Sequence, residues 1–411
     1  MKNLKLLVVA LVAMFGFIAC DKHECSDYDH SADLVGTWTC LEAGYAEALV
    51  IKADGSALST GVEDGEYWEN VAGNIVVKNG IATMTFEDGD NFEGHIDVIA
   101  GMAFSIYNED GERMTYNYCA NDLSDEIVGM WVCNDFSTGV ENDMVIQTFK
   151  EDGTVTKTGW SAASNEFIVN ETITYKVVGD LVFHQRPSEM VAEGAAAHFA
   201  SKLTYMPNAN QLGDMLTNTS IKVINGEAVE LSASMLRINQ SLNLAGKKYD
   251  YIKTFVSNVK GEDKDINFMG YTINFAKMDG SELDKLLKAI LFNVEFPDAN
   301  TLKYSYNYNN VKATLDAPIV VEGNKMTIKM SKEVSTLKDV VLYAFQDADC
   351  SHLHFYMHRD AFVNFHTNMQ AKLMEATNEQ FDINNAEAVN AIYNEINNTV
   401  QTINVSLVMS K

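Results

Sequence analysis

Ser31-Ala-Asp-Leu-Val-Gly36-Thr-Trp38-Thr-Cys40 returns further along the chain as Ser124-Asp-Glu-Ile-Val-Gly129-Met-Trp131-Val-Cys133. Three more phrases recur in the same order. Ile51-Lys-Ala-Asp54-Gly55-Ser matches Phe149-Lys-Glu-Asp152-Gly153-Thr, Thr60-Gly61 matches Thr158-Gly159, and Arg113-Met-Thr-Tyr116 matches Lys202-Leu-Thr-Tyr205. Four matches in one order mark a duplication with a period of about 90 residues, the size of one small domain. One module is expected over residues 31–120 and a second over 124–210.

The turn chemistry within the copies predicts antiparallel sheets. Asp-Gly stands at 54–55, 64–65, 88–89, 110–111, 152–153 and 279–280, and Asn-Gly at 79–80 and 225–226. These pairs tolerate the positive φ angles of tight hairpins, and many are flanked by alternating apolar residues. Ile75-Val-Val-Lys-Asn79-Gly80-Ile-Ala-Thr-Met-Thr-Phe86 is one such hairpin and Thr174-Tyr-Lys-Val-Val-Gly179-Asp-Leu-Val-Phe183 its counterpart. A third, Ile319-Val-Val-Glu-Gly323-Asn-Lys-Met-Thr-Ile-Lys-Met330, suggests a diverged version of the unit downstream.

Gly-x-Trp on a first strand, followed by a meander of hairpins, resembles the lipocalin or calycin pattern, and more closely the lipocalin-like lipoproteins of Bacteroidales. The resemblance covers residues 31–210 and weakens beyond 240. It implies small barrels or strongly curved sheets with Trp38 and Trp131 plugging one end. Large aromatics dominate core energetics without a ligand, so both are expected to be packing residues. About 90 residues is short for a barrel with a roomy cavity, and the modules are expected to be filled by their own side chains.

Residues 241–411 mix strands with helices. Ser281 caps a stretch with Leu283, Leu286, Leu287 and Ile290 on one face, as a helix requires. Phe362, Phe365, Met369 and Leu373 form a second stripe, and Val389, Ile392, Tyr393, Ile396 and Val400 a third, leading into a strand from Asn404 to Met409. These stripes read as core faces. Residues 207–240 read as a connector, with a helix through Val229, Leu231, Met235 and Leu236. The fold class is therefore mainly β: two tandem antiparallel meander or barrel modules, then a larger β-rich domain with covering helices over 241–411.

The N-terminus supplies an address. Lys2 and Lys5 precede an apolar run from Leu6 to Ala19, about 14 residues against the roughly 20 a membrane-spanning helix needs. That is a secretory signal, residues 1–19. The end of the run, Phe17-Ile18-Ala19-Cys20, resembles a bacterial lipobox, with Phe17 where Leu is usual. Cleavage would leave Cys20 as the lipidated first residue. Several acyl chains anchor stably, at roughly 0.8 kcal/mol per buried methylene. Residues 20–30 form a polar tether. The expected location is the cell envelope, lipid-anchored to a membrane, with the outer membrane favoured.

With 57 acidic against 30 basic residues, the net charge is -27, which disfavours phosphate backbones and excludes nucleic acid as a partner. No Gly-x-Ser-x-Gly elbow, His-Glu-x-x-His, phosphate loop or dinucleotide fingerprint occurs in the sequence, so the chain reads as a non-enzyme without a cofactor. One cluster attracts attention: Cys350-Ser-His352-Leu-His354-Phe-Tyr356-Met-His358-Arg-Asp360, with His366 beyond. On a strand, period two places Cys350, His352, His354, Tyr356, His358 and Asp360 on one face. Histidines at i and i+2 lie about 6.5 to 7 Å apart, within reach of one zinc. No third ligand is fixed by the spacing. The competing reading is a half-buried strand whose polar face meets solvent or a covering loop.

Export also opens two readings of the cysteines. Cys40 on the first strand of module one and Cys119 near its last could bridge a loop of about 80 residues, at roughly 4 kcal/mol in the chain-entropy model. Alternatively Cys40 and Cys133 are reduced core residues kept for size; Asn208 stands where the second copy would need its partner cysteine. Two functions follow from the whole sequence. One is a membrane-anchored envelope lipoprotein binding a small or apolar ligand, most naturally in the larger C-terminal domain. The other is a structural or interaction subunit docking to envelope proteins.

Overall fold

The computed structural model describes residues 31–411 except 108–112, 134–144, 162–165, 189–190, 192–195, 210–212, 269–270, 279, 309–310 and 379. The signal segment, the tether and Cys20 lie outside the described residues. The fold is mainly β and consists of three closed eight-stranded antiparallel barrels. They fall into two compact units, one ending at Asn121 and the other beginning at Asp122. No helix among the described residues is long and apolar enough to cross a membrane.

The first barrel is a meander in chain order: β1 (Gly36–Glu42), β2 (Tyr45–Ile51), β3 (Ser56–Glu63), β4 (Glu66–Lys78), β5 (Ile81–Phe86), β6 (Asn91–Ile99), β7 (Ala103–Tyr107) and β8 (Arg113–Cys119). Pairing of β1 with β8 closes it, with Trp38 opposite Tyr118. The Asn-Gly turn between β4 and β5 carries φ of 53° at Asn79 and 73° at Gly80, the double positive φ that selects this dipeptide. Trp38 is fully buried. Its indole N–H donates to the Leu34 carbonyl at 2.7 Å, and its ring packs edge-on to Phe104 at 4.9 Å.

The same barrel buries a carboxylate. Glu47, 5% exposed, accepts from the Tyr45 hydroxyl at 2.5 Å, from Ser59 Oγ at 2.5 Å and from the Tyr116 hydroxyl. A buried charge is tolerated only with such donors around it. Burial, reinforced by the neighbouring Glu47 charge, pushes both tyrosine hydroxyls well above their ordinary value. The Cys40–Cys119 bridge does not fit this barrel. Cys119 pairs with Thr37, an odd number of residues from Cys40, so the two side chains leave opposite faces of the sheet. Cys40 belongs to the barrel core while Cys119 Sγ contacts the Asn121 carbonyl at 3.0 Å, and the two are not joined by a disulfide.

The second barrel comprises β9 (Gly129–Cys133), β10 (Val145–Phe149), β11 (Thr154–Ser161), β12 (Glu166–Val178), β13 (Leu181–Gln185), β14 (His198–Met206), β15 (Met215–Ile224) and β16 (Glu227–Ile238), closed by β16 on β9. Its Trp131 is buried and donates to the Ile127 carbonyl at 2.7 Å, repeating the arrangement at Trp38. The helix expected through Val229, Leu231, Met235 and Leu236 is instead strand β16, and residues 207–240 complete this barrel rather than connect it to the next. Met235 belongs to the barrel core while its neighbour Leu236 packs in a separate cluster with residues of the third barrel. Burial of both faces at Met235 and Leu236 erases there the period-two alternation by which a strand is recognised.

The third barrel runs β17 (Lys247–Gly261), β20 (Leu291–Asp298), β21 (Thr301–Tyr308), β22 (Val311–Glu322), β23 (Lys325–Ile328), β24 (Val340–Gln346), β25 (His352–His358) and β26 (Val400–Ser410). A hairpin, β18 (Asp265–Phe268) with β19 (Tyr271–Asn274), and helix α1 (Gly280–Ile290) lie between β17 and β20; the short α2 (Met330–Glu333) precedes β24; α3 (Arg359–Thr377) and α4 (Ala386–Thr399) lie between β25 and β26. The apolar stripes expected from the sequence are core faces here. Leu283, Leu286, Leu287 and Ile290 of α1 are buried, as are Phe362, Met369 and Leu373 of α3 and Val389 and Ile396 of α4. Asn385 caps α4 by accepting from the N–H groups of Glu387 and Ala388, which satisfies two otherwise orphaned donors.

Candidate ligand cleft between the second and third barrels

Among the described residues, the third barrel's interior leaves little room for the apolar ligand expected there. Its interior cavity, bounded by Tyr304, Met330, Phe355, Met357, Phe365 and Leu407 among others, measures about 40 Å³. That is water-sized, whereas ligand pockets run to about 300 Å³ and more. Leu353, Phe355 and Met357 on the inward face of β25, with α3 packed beside them, fill the space.

The opposite face of β25 carries the histidines. The strand spans His352–His358, so Cys350 precedes it with φ of 58°, and Asp360 opens α3. His352, His354 and Tyr356 are buried, and the middle of this face is covered by the second barrel rather than by solvent or a loop. Tyr356, Tyr343 and Phe345 pack against Val132, Ile146, Leu236 and Ile238 of the second barrel, and Phe167 meets Tyr343 edge-on at 4.4 Å. His358 Nδ1 lies 3.1 Å from Asn404 Oδ1, and burial lowers its pKa to about 4. His366 sits buried within α3 and is lowered by the same cause to about 4. Among the described residues, no group of three or more His, Cys, Asp or Glu side chains gathers to hold a metal ion. His352, His354 and His358 share a strand face, but His352 engages Asp347 and His358 engages Asn404.

At the edge of this junction opens a cleft of about 540 Å³. Asn208, Asp214 and Arg237 line it from the second barrel, and Asp347, Asp349, Ser351 and His352 from the third. The backbone holds the two walls together: the Asn239 N–H donates to the Gln346 carbonyl at 2.5 Å, and Asn239 Nδ2 to the Asp347 carbonyl at 2.7 Å. Gly213, at φ of 105°, lets the chain pass beside Asp347 in a conformation open to glycine.

Asp347 organises the third-barrel wall. It accepts from the His352 backbone N–H at 2.8 Å, from His352 Nδ1 at 2.5 Å and from Ser351 Oγ at 2.6 Å. Burial by itself would raise this carboxyl, but the hydrogen bonds from His352 and Ser351 outweigh it and hold the pKa at about 2. On the other wall the Arg237 guanidinium stacks 4.7 Å over Trp131 and donates to the Glu126 carbonyl. Ser, His and Asp stand together here, yet their geometry is not that of a hydrolytic triad. In a triad serine and aspartate engage opposite nitrogens of the imidazole. Here Ser351 Oγ, at 2.8 Å, and Asp347 both engage Nδ1, and the serine proton is committed to the carboxylate.

Of the cleft residues, sequence reasoning singled out only His352. Asp214 precedes β15 and Arg237 lies within β16, in the segment read as connector and helix, and their approach to Asp347 depends on barrel packing. The run Asp347-Ala-Asp349-Cys350-Ser351-His352 was the one local signal, since acidic and hydroxyl residues crowd a tight turn there.

No family model matches the chain, and no curated protein matches it. Among solved structures it is similar to the vaccine antigen transferrin-binding protein B of Haemophilus parasuis, in a double-mutant form, at 10% identity and a TM-score of 0.24. That match covers 90% of this chain, which spans 66% of the other. It is also similar to a porin-like protein from Bacteroides uniformis, at 10% identity and a TM-score of 0.13, over 49% of this chain and 94% of that one.

Proposed function

We propose that this chain is an exported, non-enzymatic binding lipoprotein of the cell envelope, lipocalin-like in its first two barrels and held to the outer membrane through lipid on Cys20. Its ligand is small and polar and sits in the cleft between the second and third barrels. One observation carries this reading: the cleft of about 540 Å³ is walled by convergent polar side chains, while the third barrel's interior offers about 40 Å³. Concave sites with a few fixed polar groups are where small molecules bind.

A second reading, docking to another envelope protein, draws on the hairpin of β15 and β16, where Val223, Ile224 and Leu231 are 64%, 43% and 40% exposed. Apolar groups gathered on an exposed element mark interaction surfaces. Native mass spectrometry of the gently solubilised lipoprotein separates the two. A retained small molecule supports the cleft, whereas a stoichiometric protein partner with no small molecule overturns it in favour of docking.

A further inference from the structure

The hydrogen-bond balance of the cleft, taken as the ligand site, defines what chemistry fits it. Asp214 accepts two bonds, from the Tyr205 hydroxyl at 2.8 Å and the Asn208 N–H at 3.1 Å. Asp347 accepts the three already described, and Asp349 accepts one, from the Ser351 N–H at 2.9 Å. A carboxylate offers about four lone-pair sites, so about half of this acceptor capacity is unmet by the protein. Of the donors on the walls, Ser351 Oγ and His352 Nδ1 are taken up by Asp347 and Arg237 Nη2 by the Glu126 carbonyl, while Arg237 Nε is buried without a partner among the described residues.

Charge points the same way. Three carboxylates face one guanidinium, and a protonated His352 would still leave the walls negative. Walls of low dielectric focus such a field and concentrate cations inside the cleft. An ammonium brings three donors and no acceptor, the complement of a surplus of carboxylate lone pairs. A bare divalent cation fits less well, because it needs several oxygens within about 2.6 Å of one point, and no such group gathers among the described residues. Resting on the cleft as the binding site, we propose that it takes a small organic ammonium compound, whose amine is held by the open lone pairs of Asp214 and Asp349.

The test is calorimetric titration of the detergent-solubilised full-length lipoprotein at low salt with putrescine, 1,4-butanediol and succinate, three four-carbon probes that differ in charge. Saturable putrescine binding is expected, with the diol and the diacid at least tenfold weaker. Asp349→Asn should weaken putrescine at least tenfold. Asp349 is exposed, and an Asn there keeps the acceptor for Ser351, so the thermal melt should not move. Asp349→Lys should abolish binding. An unchanged affinity in both variants overturns the placement, and absence of putrescine binding overturns the inference. If succinate or the diol binds instead and Asp349→Lys alters that binding, the cleft reading survives alone. If none of the three binds, both fall.

Discussion

His352 Nδ1 lies 2.5 Å from Asp347 Oδ2, with both side chains almost wholly buried. Because the folded state holds Asp347 at about pH 2, below the unfolded value near 3.9, its contribution to stability is present above about pH 4 and is lost as pH falls toward 2. Asp347→Asn removes that linkage. Urea midpoints measured between pH 5 and pH 2 should fall less steeply in the variant than in the parent chain.

Gly61 and Gly159, equivalent in the two copies, should respond differently to alanine. At Gly61 a methyl group would overlap the Trp68 ring and approach the Ala46 carbonyl oxygen to 2.7 Å, while at Gly159 it meets the tip of the Asn170 side chain. A ring and a backbone oxygen yield less readily than a flexible amide. Gly61→Ala should cost about 1–3 kcal/mol as an overpacking change, and Gly159→Ala visibly less, by thermal unfolding of each variant.

Glu47→Ala strands the hydroxyls of Tyr45, Ser59 and Tyr116 around an emptied site. Unsatisfied buried donors cost about 1–3 kcal/mol each, so the first barrel should lose about 3 kcal/mol or more. Chemical denaturation followed by tryptophan fluorescence reads this directly, and Glu47→Gln, which keeps an acceptor, should recover part of the loss.

The sheet register makes a thiol prediction. Peptide mapping of protein alkylated at harvest should find Cys40 and Cys119 both modified after unfolding, with no peptide linking them. A linked pair would require the first barrel to pair its end strands in a different register.

For the anchor, Cys20→Ala should release the protein from membranes and abolish incorporation of a clickable fatty acid. Label persisting in that variant would defeat the assignment of Cys20.

The duplicated Gly-x-Trp phrase made the first two barrels legible, because a buried tryptophan bonded to the carbonyl four residues back needs the same local geometry each time. Helices α1 and α4 were legible because each buries one apolar face, and α3 showed its stripe of Phe362, Met369 and Leu373 although His366 to Ala371 are buried all round. Strands buried on both faces were not. Met235 and Leu236 are neighbours that face different cores, and this reads as helix. His352, His354 and Tyr356 look like a solvent face, since sequence alone does not say that another barrel covers it. The cleft was hidden further, because Asp214, Arg237 and Asp347 meet only through the packing of two barrels.

The third barrel closes on β26, which pairs with β17 on one side and β25 on the other. During synthesis the segment Lys247–Gly261 must therefore wait for Val400–Ser410 before its edge is satisfied. Contacts so distant along the chain slow folding, and an unpaired strand edge invites the wrong partner. Val132, Ile146 and Leu236 on the second barrel stay uncovered until β24 and β25, which supply their cover, have been made. A nascent chain stalled before residue 340 would expose a sticky seam and a bare apolar wall together.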